Sequence, residues 1–229
     1  MAEKYTITVL RRKAADSEPY RQSFFFEGTG EETVAVVLDR LNFADDLFDT
    51  DGTPAPRIGW ECSCSQGVCG ACAMVINGEP ALACKKKLKD CKSKNIFLEP
   101  LTKFPVVRDL IVDRSSLSVI PIQHGLWLES EAAADKKYRD LQYFASKCMK
   151  CGLCVEVCPN TGGCSENFGA FFAAECFLKK TQSSGKQDKK DAKREYNRSF
   201  AAGCSKSMSC AAVCPAGIDF KKIINYMNR

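Results

Sequence analysis

The chain has 229 residues, enough for two ordinary domains, with 15 cysteines, one histidine and a formal net charge of +5 at pH 7. An odd cysteine count in a chain of this length argues against a disulfide scaffold, and Met1–Tyr20 reads without the apolar run of a signal peptide, so the cysteines are read as thiolates for metal in a reducing compartment. The apolar stretch Phe168–Phe177 is far shorter than the ~20 residues of a membrane span, so membrane contact is expected only through a partner.

Taken in chain order, the first half reads as mixed sheet and helix. Tyr5–Leu10 alternates as a strand does, and Arg21–Phe26 is a second strand. Thr29 and Glu32 have the spacing of a capping box. Val34, Val37, Leu38 and Leu41 then share one face of a helix. DTDGTPAPRIG is a loop by its Gly, Pro and Asp content. Met74–Ile76, Asn77-Gly78 and Ala81–Ala83 form a β-hairpin pattern, and Asn95–Leu98 is a last short strand. From Pro105 onward the pattern turns helical, which divides the chain into 1–105 and 106–229. Their formal charges are about −1 and about +6. Much of the excess lies in Lys179–Arg198, which reads as a solvated, mobile loop. Nucleic acid is not an expected partner, since only Tyr196 interleaves those lysines. Neither a Walker sequence nor a dinucleotide-binding glycine pattern occurs.

The segment CSCSQGVCGAC, Cys62–Cys72, carries the first centre. Cys64, Cys69 and Cys72 have the C-x4-C-x2-C spacing of a plant-type [2Fe–2S] site, which needs a fourth cysteine downstream. If Asn77-Gly78 is a two-residue turn, residue 76 faces 79 and residue 73 faces 82, and Cys84 lands almost opposite Cys72. Gly67 and Gly70 let the loop curl and aim N–H groups at the sulfurs. The rival is a zinc site, but zinc knuckles favour C-x2-C pairs, and the step from Cys64 to Cys69 fits them badly. Cys62 and Cys91 read as spare thiols.

A second signal is CMKCGLCVEVCP, in which Cys148, Cys151, Cys154 and Cys158 precede Pro159. In two-cluster ferredoxins the fourth cysteine of such a run ligates the other cluster, so a second run is required. CSKSMSCAAVCP supplies Cys204, Cys210 and Cys214 before Pro215, with Ser207 at the position of the missing cysteine. Exchanging the fourth ligands gives Cys148, Cys151, Cys154 and Cys214 to a [4Fe–4S] cluster. Cys158, Cys204 and Cys210 are left for a [3Fe–4S] cluster, because a serine hydroxyl must lose a proton to bind iron. Cys176, among phenylalanines, reads as a buried small apolar group, and Cys164 matches neither run. His124, Trp60 and Trp127 read as packing residues.

The three cysteine patterns in this order resemble the iron–sulfur subunit of the succinate dehydrogenase and quinol:fumarate reductase family over nearly the whole chain. CSQGVCGACAMVINGEPALAC and VVRDLIVDRSSL resemble segments of that family. The resemblance implies an α+β chain, with an N-terminal β-grasp [2Fe–2S] ferredoxin domain and a C-terminal all-α two-cluster domain. It implies a non-catalytic subunit relaying electrons between a FAD flavoprotein and a quinone-reactive cytochrome b anchor at the cytoplasmic face of the inner membrane. FAD and haem b then belong to the partners. Where one branch places a serine, a tryptophan and a histidine around its quinone, this chain has Asn160, Gly163 and Ser205. The expectation is therefore a dihaem anchor that uses menaquinone. An alternative is the corresponding part of a thiol:fumarate reductase, whose chains usually carry a further cysteine-rich domain.

Overall fold

Alternating side chains in the first segment make a strand whose every second residue faces inward. β1 (Glu3–Arg11) buries Tyr5, Ile7 and Val9, and the alternation carries the charged Arg11 inward as well. β2 (Tyr20–Gly28) pairs antiparallel with it, Tyr5 opposite Phe26 and Val9 opposite Gln22. The computed structural model describes residues 2–133, 136–162 and 167–229. These form two units, Met1–Asp113 and Arg114–Arg229.

Helix α1 (Val34–Phe43) buries Val34, Ala35, Val37, Leu38 and Leu41. Its cap is Thr33, whose Oγ1 accepts from the Val36 N–H at 3.3 Å. The expected Thr29–Glu32 pair does form, with the Glu32 carboxylate accepting from the Thr29 N–H at 2.9 Å. It closes the turn ahead of the helix instead of starting it. β3 (Ala73–Ile76) and β4 (Glu79–Leu82) make the expected hairpin, Ile76 opposite Glu79 and Ala73 opposite Leu82. Asn77 (φ 50°) and Gly78 (φ 78°) both turn left-handed, as a two-residue hairpin loop requires. β5 (Asn95–Glu99) runs parallel to β1 and antiparallel to β3, which gives the strand order β2-β1-β5-β3-β4 of a β-grasp sheet.

A separate ribbon, β6 (Val106–Arg108) and β7 (Ile111–Val112), turns at Asp109 (φ 46°). The buried Asp109 carboxylate accepts from Arg11 Nε at 2.9 Å, the Arg12 N–H at 3.0 Å and the Gly59 N–H at 2.7 Å. This latch holds the ribbon in the first unit, which runs to Asp113.

The second unit is helical: α2 (Ser116–Gln123), α3 (Arg139–Ser146), α4 (Leu153–Glu156), α5 (Ala170–Gln182), α6 (Lys186–Ser199), α7 (Ser209–Val213) and α8 (Phe220–Met227). α5 is its axis. It buries Phe171, Phe172, Cys176 and Phe177, and packs against α2, α3, α4, α6 and α8. Cys176 is fully buried, as its phenylalanine surroundings suggest. Lys179–Arg198 is not the expected mobile loop. It spans the end of α5 and nearly all of α6, whose Asp188, Ala192, Glu195, Tyr196 and Ser199 form one buried stripe. His124 packs edge-on against Phe168 and Phe172 and meets Glu195 at 2.8 Å. Trp127 is not a core residue, being half exposed. Among the described residues no helix is long and apolar enough to cross a membrane.

Candidate metal centres

The first centre lies on the loop before β3. Ser65 (φ 51°), Gly67 (φ 76°) and Gly70 (φ 76°) curl it left-handed. The curl brings the N–H groups of Gln66 and Val68 to Cys64 Sγ, at 3.3 and 3.4 Å. Those donors, Gln66 first, pull the Cys64 thiol down to about 6, and the Cys69 thiol adds to the effect. A side chain at Gly67 would be strained by the left-handed φ of 76°, and its Cβ, 2.2 Å from Lys85 Cε, would also push that lysine aside. Across the hairpin, Cys72 and Cys84 sulfurs stand 3.3 Å apart, both buried. Burial pushes the Cys72 thiol up to about 12, with the charge of Cys84 acting in the same direction. Two thiols so placed cannot both ionise without a cation between them. The Cys84 segment is fastened from behind by the start of α1, where Val34 N–H donates to Lys86 O at 2.9 Å and Ala35 N–H to Ala83 O at 3.1 Å. Cys62 is exposed beside Ser65, whereas Cys91 is buried with its thiol on the Lys87 carbonyl.

In the helical unit two cavities are lined by cysteines. One has Cys148, Cys151, Cys154 and Cys214 on walls that include Leu117, Phe171, Ile218 and Phe220. The other has Cys158, Cys204 and Cys210 with Ser207, Phe200 and Ile224. Each thus contains a cysteine from the opposite run: Cys214 in the first, Cys158 in the second. Burial raises the thiols of Cys148 and, well above its ordinary value, Cys154. It takes Cys151 and Cys210 to about 11. As thiolates in such surroundings they need positive charge close by. The four thiols of the first cavity and the three of the second line enclosed spaces with no histidine or carboxylate among the described lining residues. An all-sulfur donor set on apolar walls fits an iron–sulfur core and suits a hard cation poorly.

The backbone of the two runs repeats. Lys150 (φ 50°) and Gly152 (φ 89°) flank Cys151; Lys206 (φ 61°) and Met208 (φ 59°) flank Ser207. The second run keeps the left-handed kinks of the first although three of these four residues have a Cβ to strain. Ser207 thus sits between the same pair of kinks as Cys151, and its hydroxyl accepts from Ser209 at 3.3 Å. Ser205 donates to Asn160 at 2.8 Å on the rim of the same cavity; Gly163 and Cys164 lie outside the described residues. Two supports carry no motif in the sequence: the Asp109 latch on Gly59, and Arg114, whose guanidinium donates to the Cys151 carbonyl at 3.4 Å.

Comparison with known proteins gives the same picture of the chain. A 2Fe-2S iron-sulfur cluster binding domain model matches residues 6–118, and a 4Fe-4S dicluster domain model matches residues 144–218. The succinate dehydrogenase iron-sulfur subunit of Bacillus subtilis is 32% identical over 240 residues, covering 100% of this chain and 94% of that protein. The fumarate reductase iron-sulfur subunit of Mycobacterium tuberculosis is 31% identical, covering 96% and 89%. A chain of the Mycobacterium smegmatis Sdh1 complex superposes with a TM-score of 0.76 at 21% identity, covering 100% and 95%, which shows the shared fold. Two matched domains and full-length kinship together place this α+β chain in the family of iron–sulfur subunits of succinate dehydrogenases and fumarate reductases.

Proposed function

We propose that the chain is the non-catalytic electron-transfer subunit of a membrane-bound succinate dehydrogenase or quinol:fumarate reductase. It relays electrons between a FAD flavoprotein and a cytochrome b anchor, at the cytoplasmic face of the inner membrane. In this reading Cys64, Cys69, Cys72 and Cys84 hold a [2Fe–2S] cluster. Cys148, Cys151, Cys154 and Cys214 hold a [4Fe–4S] cluster, and Cys158, Cys204 and Cys210 a [3Fe–4S] cluster. The observation that carries it is the exchange of one cysteine between the two helical cavities, Cys214 for Cys158. Bound clusters of these kinds supply one-electron acceptors.

The chain's own residues divide the remaining tasks. The N–H groups of Gln66 and Val68 stabilise sulfur charge at Cys64. Leu117, Phe171, Ile218 and Phe220 keep water from the middle cavity. Ser207 denies the third cavity a fourth thiolate. At that cavity's rim Asn160 and Ser205 bond to each other, where a quinone-binding branch of the family has a serine and a histidine. This favours menaquinone bound elsewhere, on a dihaem anchor.

A second reading has one observation behind it. A fumarate reductase (CoM/CoB) chain from Methanothermobacter marburgensis is 28% identical over 91% of this chain, which covers 40% of that protein. A thiol-linked complex would use the same three centres.

Electron paramagnetic resonance of the purified holoprotein tests the assignment. About nine irons per chain and an oxidised [3Fe–4S] signal are expected. Ser207→Cys should convert that signal to one of a reduced [4Fe–4S] cluster and add about one iron. An unchanged spectrum in the variant overturns the third ligand set.

A further inference from the structure

The outer side of α6 carries cations without counter-charges. Lys180, Lys189, Lys190, Lys193, Arg194 and Arg198 line an open groove of about 760 Å³ along α5 and α6. The two arginines are engaged, Arg194 with Asp191 at 2.7 Å and with Glu195 at 3.3 Å, and Arg198 with Glu195 at 3.2 Å. Among the described residues no carboxylate meets any of the four lysines. Lys193 instead donates to the Met227 carbonyl, and Lys180 lies over the Tyr226 ring at 4.8 Å. Burial, then the charge of Lys193, draws Lys180 below its ordinary value. Like charges held together cost free energy, which an anionic surface laid across them would offset.

The asymmetry extends through the chain. Residues 114–229 carry 18 Lys+Arg against 11 Asp+Glu, a net +7; residues 1–113 carry 15 against 17, a net −2. The groove also continues toward a redox site. Lys193 and Asn197 line a neighbouring groove with Cys204 and Lys206, so the basic strip reaches the rim of the third cysteine cavity. The chemistry of the free cations narrows the occupant. The guanidinium forks that would grip a single carboxylate or phosphate are already used within the helix. The ammonium groups that remain are point charges on flexible stems, suited to phosphates whose positions vary.

We propose that this face of the helical unit seats on an anionic phospholipid surface, the phosphodiester headgroups occupying the α6 groove. The inference rests on the relay reading only for the presence of a membrane beside the third centre.

The experiment is co-sedimentation of the full-length holoprotein with phosphatidylcholine vesicles, with and without phosphatidylglycerol. Binding is expected only with phosphatidylglycerol, and lost at high salt. The exposed pair Lys189→Gln/Lys190→Gln should lower the partition coefficient roughly 10- to 30-fold, from about one charge's worth of surface attraction each. Lys13→Gln/Lys94→Gln removes the same net charge from the other unit and should leave binding within about twofold. Free inorganic phosphate should not compete at equal phosphate concentration. Equal binding to neutral vesicles, no binding to anionic ones, equal loss in both double variants, or displacement by free phosphate each overturns the proposal. Paramagnetic spectra of the same samples separate the two readings. Intact clusters without vesicle binding sink the lipid contact alone; vesicle binding without clusters sinks the relay alone.

Discussion

In the sheet unit, half of the candidate ligands sit on a loop outside a core that is complete without them. In the helical unit they line the core itself. Val9, Phe24, Leu38, Ile76 and Leu98 are fully buried around the β-grasp sheet, whereas Cys64 and Cys69 are only partly buried. By contrast, α4 is four residues long, and α7 is five residues long with none of them buried. Helices this short are not stable alone. What lies against them is a cavity of thiols, two of them nine-tenths buried and all four first-cavity sulfurs confined with Phe171 and Phe220. The same ligand chemistry is thus added to a finished fold in one half and helps to build the fold in the other.

The largest effect should come from removing iron. Anaerobic chelation is expected to unfold α4, α7 and the ends of α5 and α8 that face the cavities, since ligand binding there is folding free energy. β1, β2, β5 and α1 should keep their slow amide exchange. Hydrogen exchange read by mass spectrometry checks this. Equal loss of protection in both units would break the comparison, as would full protection in both.

Next in size is the latch that the sheet unit owns. Arg11 and Asp109 are 1% and 2% exposed, and Arg11 also donates to Gln22 and to the Pro56 and Arg57 carbonyls. Asp109→Ala leaves a buried guanidinium without its carboxylate, at a cost of about 3–5 kcal/mol. Urea unfolding of the first unit should register that loss. The paramagnetic signals assigned to the helical cavities should stay as they are. If those signals fell along with the first transition, the two units would not be separable in energy.

What the sequence made legible follows the same division. Hairpin register could be read because Asn77-Gly78 permits one turn geometry, and a period of two then places every neighbour. The cysteine spacings could be read because cluster ligation demands fixed steps along the chain. The latch could not, because its partners are 98 residues apart and an Asp in a turn has no distinctive neighbours. α6 was hidden for another reason. Its buried stripe is made of Asp188, Ala192, Glu195, Tyr196 and Ser199, and the two carboxylates become core only through His124, which caps α2, and Lys179 on α5. Thr29 and Thr33 both carry a capping hydroxyl, and the choice between them depends on how the chain leaves β2.

Those hidden partners give the helical unit a support that does not depend on iron. Asp188 accepts from Ser183 Oγ at 2.6 Å, from the Ser130 N–H at 3.1 Å and from Lys179 Nζ at 3.3 Å. Chiefly through the Ser183 hydroxyl, and against the cost of burial, its carboxyl is held well below the usual carboxylate range. The unfolded carboxyl titrates near ~3.9, so the stabilisation is full above that value and drains as pH falls below it. Asp188→Asn removes the titrating group. The stability gap between wild type and variant should close by about 1.4 kcal/mol for each pH unit below ~4. Measuring the difference cancels acid effects common to both. A gap that stays constant from pH 7 to pH 3 would show that Asp188 contributes shape and not charge.

The smallest effects bear most directly on which half needs its metal. Thr33 caps α1 and Asp219 caps α8, its carboxylate accepting from the Lys222 N–H at 2.9 Å. Replacing either by alanine should cost about 1 kcal/mol. In the sheet unit that loss belongs to the protein alone, so Thr33→Ala should lower unfolding stability by the same amount with or without iron. α8 follows Cys214 closely and supplies Phe220 and Ile224 to the two cavities. If cluster binding and folding are one equilibrium there, Asp219→Ala has little metal-free structure left to destabilise. Its ~1 kcal/mol should appear as roughly fivefold weaker iron retention against a competing chelator. Thr33→Ala weakening retention as much, or Asp219→Ala acting only on the metal-free chain, would mean that the helical core stands without its clusters.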